Sequence, residues 1–389
     1  MKVNIGVIFG GESLEHEISI ISALQAIENF DRDKYNVIPI YIDKKRNWYV
    51  GNKLTNINEY KNIDKLLKNS INVNLNRINN EFWLVKTSKL LTKKMFQIDL
   101  AFPIVHGMNI EDGSLIGYLS TIGIPYVGSN VLASALGQDK VVLKQILENN
   151  NIPIVKYIWF YDYEYNSNSN TILKKINEIG YPVVVKSASL GSSIGISYVK
   201  SDKDIEEAII NSISYDKKVI VEKAVDNFIE VNCSVLGNYK KTKTSITEQI
   251  ISNNDILTYK DKYDNNFKES KIKSVNKKVP ANINKELEEK IKMYSKKVFK
   301  VLNFSGVCRI DFLIDSKTNE IFLNEPNVIP GSLSSYLWEK SNISYKKLID
   351  ELIKIGINEH KESLKKIKSL NNNILNNNYI NNKNYIIKK

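Results

Sequence analysis

Two stretches decide how this chain reads: "GVCRIDFLID" at Gly306–Asp315 and "LNEPNVIPGS" at residues 323–332. Both are apolar enough for buried strands, yet each carries polar residues at alternate positions. Along a strand, i and i+2 share a face. Arg309 and Asp311 therefore point one way from the first stretch, and Glu325 and Asn327 one way from the second. If the two strands pair antiparallel across "SKTNE" (316–320), those faces align. Two carboxylates and an amide oxygen make a hard oxygen set. That set suits Mg²⁺, which keeps some waters and shares its shell with substrate phosphates. On these residues alone, a solvated salt-bridge cluster on a two-stranded hairpin fits as well.

Upstream, "VVVKSASLGSSIG" (183–195) places Lys186 at a strand end and follows it with Gly191, Ser192, Ser193 and Gly195. Backbone N–H groups of such a turn can cradle phosphate oxygens, with the lysine as a point charge. No Gly-Lys-Ser/Thr closes the turn, so it is not a Walker A loop, and a plain hairpin is the competing reading. "VIVEKAVDNFIEV" (219–231) interrupts an apolar strand with Glu222 and Lys223. These two can meet an adenine edge, and Glu230 can accept from ribose hydroxyls; an edge strand with solvated charges is the alternative.

The chain has 389 residues, 42% hydrophobic and 25% charged, which suits a soluble protein of two or three domains. Its two cysteines, Cys233 and Cys308, lie in apolar runs. That composition fits a reducing cytoplasm better than a disulfide framework. The start "MKVNIGVIFGGES" reads as strand then glycine turn, not as a signal peptide. No apolar run reaches the ~20 residues of a membrane span. The net charge of +12 raises nucleic acid as a partner. Much of the excess lies at the end of the chain, where residues 359–389 hold seven lysines against two glutamates. That segment is asparagine-rich and poor in arginine and aromatics, so it reads as a low-complexity appendage, and no nucleic-acid partner is expected.

The N-terminal part alternates strand and helix: residues 1–9, a helix over "EHEISIISALQAIENF", then a buried strand over 35–43 and another over 98–107. This is an α/β opening on a parallel sheet. Residues 69–80 are polar and weakly patterned and read as a surface excursion. Later strands, "YPVVVKS", "SIGISYV", "KKVIVEKAV" and "FIEVNCSVLGN", precede an amphipathic helix over 285–302. A last helix is expected over 344–357.

In this order, "GVIFGGESLEHEISIISA", "PIVHGMNIEDGSLIGYLSTIGIPYVGS", "LASALGQDKVVLK", "VVVKSASLGSSIG", "YKDKY", "GVCRIDF" and "NEPNVIPGS" resemble the D-alanine–D-alanine ligase family from about residue 2 to 357. The resemblance implies an α/β (α+β overall) ATP-grasp fold in three domains. These are an N-terminal parallel-sheet domain (1–128), a central lid (129–225) and a catalytic domain (226–357), the last two clasping ATP. A disordered Asn/Lys-rich tail (358–389) follows.

The implied activity is ATP-dependent joining of two D-alanines through an acyl phosphate, supplying peptidoglycan synthesis in the cytoplasm. By the same resemblance, Glu15 holds the first D-alanine's ammonium, and Ser192 and Tyr263 link to it and close the site. Lys140, Lys186 and Lys262, with Ser193 in the glycine turn, meet the ATP phosphates. Glu222 and the Lys223–Ala224–Val225 backbone meet adenine, and Glu230 meets ribose. His106 lies near the substrates. Asp311, Glu325 and Asn327 ligate two Mg²⁺ ions, for which Mn²⁺ can substitute. Arg309 contacts the acyl phosphate and the second substrate and, with the Gly331 N–H, stabilises the oxyanion, and the protein is a homodimer with no membrane partner.

The sequence departs from that pattern at Ile110, Ile116, Ser187, Thr258 and Pro326. It also places Tyr336 where a serine, followed by leucine, usually holds the acceptor carboxylate. Two competing readings follow: a relative that joins D-alanine to another amine such as D-serine, and a degenerate ATP-binding protein.

Overall fold

The computed structural model describes residues 2–87, 92–107, 109–191, 195–251 and 276–370. Among these, the strands form three sheets. The first, in order β6-β5-β4-β3-β2-β1-β7, comprises β1 (Val3–Gly10), β2 (Tyr35–Ile42), β3 (Trp48–Val50), β4 (Ile71–Ile78), β5 (Glu81–Thr87), β6 (Thr92–Ile98) and β7 (Leu100–Pro103). The expectation of a parallel sheet is correct only at its centre. β1 runs parallel to β2 and β7, while β3 to β6 extend the sheet antiparallel.

The expected excursion at 69–80 is instead β4. Val73 and Leu75 are buried between exposed Asn72, Asn74 and Asn76, a period-two pattern that asparagine's low strand propensity disguised. The helix His16–Asn29 covers the sheet with Ile20, Ala23, Leu24 and Ile27.

The second sheet, order β10-β9-β11-β8, is antiparallel: β8 (Tyr157–Tyr161), β9 (Val183–Ser187), β10 (Ser197–Val199) and β11 (Lys218–Lys223). The third, order β14-β13-β12-β15-β16, comprises β12 (Phe228–Gly237), β13 (Thr242–Ile251), β14 (Asn276–Lys278), β15 (Gly306–Asp315) and β16 (Ile321–Asn327). The helix Lys285–Val301 buries Leu287, Ile291, Val298 and Phe299 against it. Pro326, which has no N–H to give a ladder, sits on the edge strand β16.

Among the described residues the last helix is Tyr345–Leu364, so it does not stop at 357. Leu348, Ile349, Leu352 and Ile353 join Phe9, Phe102 and Trp338 in the core of the first sheet. The helix Tyr345–Leu364 thus closes back onto the first sheet, and the segment after Gly331 lies against the first helix. Ser332 donates its N–H to Ser22 Oγ at 3.1 Å, and its hydroxyl donates to Gln25 at 2.5 Å.

Candidate active site

The third sheet carries one row of polar groups. Register sets Glu248 of β13 beside Asn232 of β12, Asn232 beside Asp311 of β15, and Asp311 beside Glu325 of β16. Arg309 and Asn327 form the neighbouring pair. The opening alignment is therefore present, and Asp311, 4% exposed, is not part of a solvated hairpin.

The Arg309 guanidinium grips Asp311 with two bonds, Nε to Oδ1 and Nη2 to Oδ2, both 2.7 Å. Asn327 donates to Asp311 Oδ2 at 3.0 Å. Burial pushes the Asp311 carboxyl above its ordinary value, although Arg309 works against that. Burial opposes the Arg309 charge, but Asp311 outweighs it and drives Arg309 well upward.

Facing this row stand lysines. The helix Lys140–Asn149 is capped by Asp139, whose carboxylate accepts from the N–H groups of Val141 and Val142. Lys140 donates to the Leu190 carbonyl and lies 3.6 Å from Glu325 Oε2. Lys186 of β9 donates to Glu222 at 2.7 Å and to Asn324 Oδ1 at 3.2 Å.

Lys144, one turn beyond Lys140, was not anticipated. Its side chain is 2% exposed and lies 3.1 Å from the other Glu222 oxygen. The only sequence hint was its i, i+4 spacing from Lys140 on a helix, which reads equally as a solvated face. Burial lowers Lys144. Lys186 is lifted, because Glu222, helped by Glu325 and Glu230, outweighs burial there. Burial tends to raise Glu222, but the two lysines override it and hold the carboxyl at about 2. The Glu222 side chain thus meets lysines, which leaves any reading of an adenine edge to backbone. Lys223 Nζ donates to the carbonyls of Gly180 and Tyr181 at 3.2 and 2.8 Å, and the Ala224 N–H donates to Pro182.

From the first sheet, Glu15 enters just before the helix His16–Asn29. A Cβ at Gly191 would lie 3.3 Å from Glu15 Oε2, and one at Gly107 3.0 Å from it. Gly107 also has φ +87°, so both backbone conformation and space require glycine there. His106 Nε2 lies 3.2 Å from Ser22 Oγ, and burial holds its imidazole down at about 4.

Glu111, also unanticipated, accepts from the N–H groups of Gly107 and Ile329 at 3.0 and 3.1 Å, tying the first sheet's loop to the segment after β16. Burial, then Glu15, push its carboxyl up to about 8. After Gly331, three successive non-glycine residues, Ser332, Leu333 and Ser334, have φ near +50°, a strained turn next to the cavity.

Glu15, His106, Glu111, Lys140, Lys144, Lys186, Glu222, Arg309, Asp311, Glu325 and Asn327 border one cavity of about 530 Å³. Every predicted site residue among the described residues lines it, Val225, Glu230 and Gly331 included. Ser192, Ser193, Lys262 and Tyr263 lie outside the described residues.

Asp311, Glu325 and Asn327 supply the hard oxygens that Mg²⁺ prefers. Among the described residues, no three acidic, histidine or cysteine groups converge to hold a cation by themselves. Two carboxylates completed by phosphate oxygens match the way Mg²⁺ is usually bound, so the residues fit. Asn327 now turns Nδ2 toward Asp311 and would present Oδ1 to an ion instead.

The chain matches the D-ala D-ala ligase N-terminus family over residues 4–129 and the D-ala D-ala ligase C-terminus family over residues 146–354. It is 43% identical to the D-alanine–D-alanine ligase of Thermosipho melanesiensis, over 96% of this chain and 98% of that protein. Among solved structures, it is similar to the D-alanine–D-alanine ligase of Coxiella burnetii (TM-score 0.79, 28% identity, 94% of this chain and 96% of that one). It is also similar to the VanG D-Ala:D-Ser ligase of Enterococcus faecalis (TM-score 0.77, 30% identity, 92% and 100%). The Bacillus anthracis D-alanine–D-alanine ligase, solved with ATP, gives a TM-score of 0.65 at 25% identity, over 93% of this chain and 99% of that one. The chain belongs to the D-alanine–D-alanine ligase family and carries its ATP-grasp fold.

Proposed function

We propose that this protein uses ATP to join two D-alanine molecules, giving D-alanyl-D-alanine for the cell wall. The supporting observation is the two-sided cavity: Asp311, Glu325 and Arg309 on one wall, and Lys140, Lys144 and Lys186 on the other. A polyphosphate between the walls finds cations on one side and donors for a shared metal on the other. Relatives at 36–43% identity bear the D-alanine–D-alanine ligase name, whereas the D-Ala:D-Ser enzyme is 30% identical, which favours D-alanine over D-serine as acceptor.

In this reading Glu15 holds the donor's ammonium and turns its carboxylate toward the γ-phosphate. Lys140 and Lys186 bear on the phosphates and limit charge build-up as the phosphoryl group moves. Asp311, Glu325 and Asn327 would hold Mg²⁺, which would neutralise phosphate charge there. The Arg309 guanidinium, held beside Asp311, is placed to meet the acyl phosphate and, with the Gly331 N–H, the oxyanion formed when the acceptor amine attacks. His106, neutral at physiological pH, orients through Ser22 rather than as a cation. Lys262 and Tyr263 remain in this proposal as the closing segment's contribution, with Ser192 and Ser193. So do the domain limits at 128 and 225, a cytoplasmic location and a homodimeric state.

The test is phosphate release and dipeptide formation with ATP, Mg²⁺ and pairs of D- and L-amino acids. Dipeptide from D-alanine alone is expected, with Arg309→Ala inactive. A strict need for another acceptor, or ATP binding without turnover on any pair, would refute it.

A further inference from the structure

The cavity has a third wall, and its chemistry is not accounted for by the groups above. Glu248 of β13 is fully buried. Its Oε1 accepts from the Tyr336 hydroxyl at 2.6 Å and from Asn232 Nδ2 at 3.1 Å. Its Oε2 lies 3.3 Å from Lys277 Nζ of β14. Lys277 also donates to the Tyr336 oxygen at 3.1 Å, with Nζ 4.4 Å from the ring centroid. Lys277, Tyr336 and Asn232 line the cavity beside Arg309.

The proton order follows from this geometry. Tyr336 spends its single O–H on Glu248 and accepts from Lys277, so it has no proton left for a ligand. An ammonium has three N–H donors. Among the described residues, Lys277 gives one hydrogen bond, to Tyr336, and pairs in charge with Glu248, leaving donor capacity for a ligand in the cavity. A buried carboxylate costs free energy unless paired, and here it is paired with Lys277. Asn232 Oδ1 is buried without a hydrogen-bond partner among the described residues and needs a donor. A ligand satisfying both groups carries an anion for Lys277 and an N–H for Asn232, as an α-amino acid does.

We propose that Lys277 anchors the carboxylate of the acceptor amino acid, with Glu248 and Tyr336 as positioning residues that hold its ammonium in place and Asn232 Oδ1 taking an acceptor N–H. This rests on the ligase reading above. It also explains how Tyr336 stands where a carboxylate-binding serine is usual: the tyrosine aims a lysine and does not itself donate.

The experiment uses the full-length enzyme with Lys277→Gln, Lys277→Arg and Tyr336→Phe. Two readouts are compared. One is scrambling of ¹⁸O between bridging and non-bridging positions of ATP at low D-alanine, which reports the first half-reaction. The other is the D-alanine concentration at which dipeptide formation saturates, which reports the acceptor.

Loss of one charged donor to a carboxylate should raise the acceptor KM about 10- to 100-fold in Lys277→Gln, with scrambling unchanged. Lys277→Arg should recover most of that loss, and Tyr336→Phe should raise the same KM several-fold. An unchanged acceptor KM in Lys277→Gln, or an equal fall in both readouts, overturns the assignment. Wild-type enzyme that makes no dipeptide overturns the underlying function instead.

Discussion

Replacing Glu222 by glutamine tests the site's electrostatics most directly. The carboxylate lies 3.1 Å from Lys144 and 2.7 Å from Lys186, and the side chains are 6, 2 and 10% exposed respectively. Removing it leaves two ammonium groups in a nearly water-free setting. Breaking a buried pair by deleting one partner costs about 3–5 kcal/mol. A second route gives a similar figure. A carboxyl held at about 2 instead of an ordinary 4.5 corresponds to about 3 kcal/mol at neutral pH.

At about 2–4 °C per kcal/mol for domains of this size, the variant should melt about 6–20 °C lower. Because the folded pKa is depressed, the stabilisation is present above pH 4.5 and fades as pH falls toward 2, so the melting curves should converge in acid. Adding Lys144→Met removes one uncompensated cation and leaves Lys186 its bond to Asn324. The double variant should then regain at least about half the loss, a coupling readable from a double-mutant cycle. A melting shift below about 2 °C at pH 7, or a double variant no better than the single, would refute the claim that these charges hold one another.

Two further expectations concern the return of the chain's end onto the first sheet. Asp350 accepts from the Tyr35 hydroxyl at 2.5 Å and pairs with Lys354 at 2.7 Å and Lys34 at 3.3 Å. Burial opposes its charge, but these partners hold its carboxyl at about 2. Both lysines are more than half exposed, so screening leaves about 1 kcal/mol. Asp350→Asn should therefore lower the melting point at pH 7 and match wild type near pH 2, as thermal melts across pH will show. Gly356 sits where a Cβ would come within 2.6 Å of the Tyr126 carbonyl oxygen. Gly356→Ala should cost about 1–3 kcal/mol by denaturant unfolding, despite alanine's better helix propensity.

The pairing of β15 and β16 was legible because a short polar loop permits only a local antiparallel return, and period-two alternation then fixes which side chains meet. Lys140 and Lys186 were reached through motifs. Their joint target became visible only when the helix Lys140–Asn149 and β9 converged on the same cavity. Other parts were hidden for physical reasons. β4 alternated correctly, but its outward face is asparagine, which favours turns. Lys144 pairs with Glu222, 78 residues away, and Glu111 reaches Ile329, 218 residues away, besides its local bond from Gly107; no local pattern encodes those long separations. Glu248 hid for the same reason: its partners come from β12, β14 and the helix Ser335–Lys340, brought together by sheet order alone.

The row across β13, β12, β15 and β16 concentrates three carboxylates in one buried surface, and each is neutralised by a different cation: Glu248 by Lys277, Asp311 by Arg309, Glu325 by Lys140. Such an arrangement favours exchange over stability. In the proposed reaction, a nucleotide polyphosphate with its metal would offer Lys140 another anion and Asp311 another cation, and an amino acid would offer Lys277 a second carboxylate. Each ligand charge thus replaces an internal one, and the desolvation cost is already met by the fold before substrate arrives. Arg309 is the pivotal case. While it is bound to Asp311 through both nitrogens, its reach toward an oxyanion is suppressed. In the proposed reaction, Arg309 would be free to donate elsewhere only once Asp311 has gained another partner, so the two bonds between them would tie the donor's release to the filling of the site.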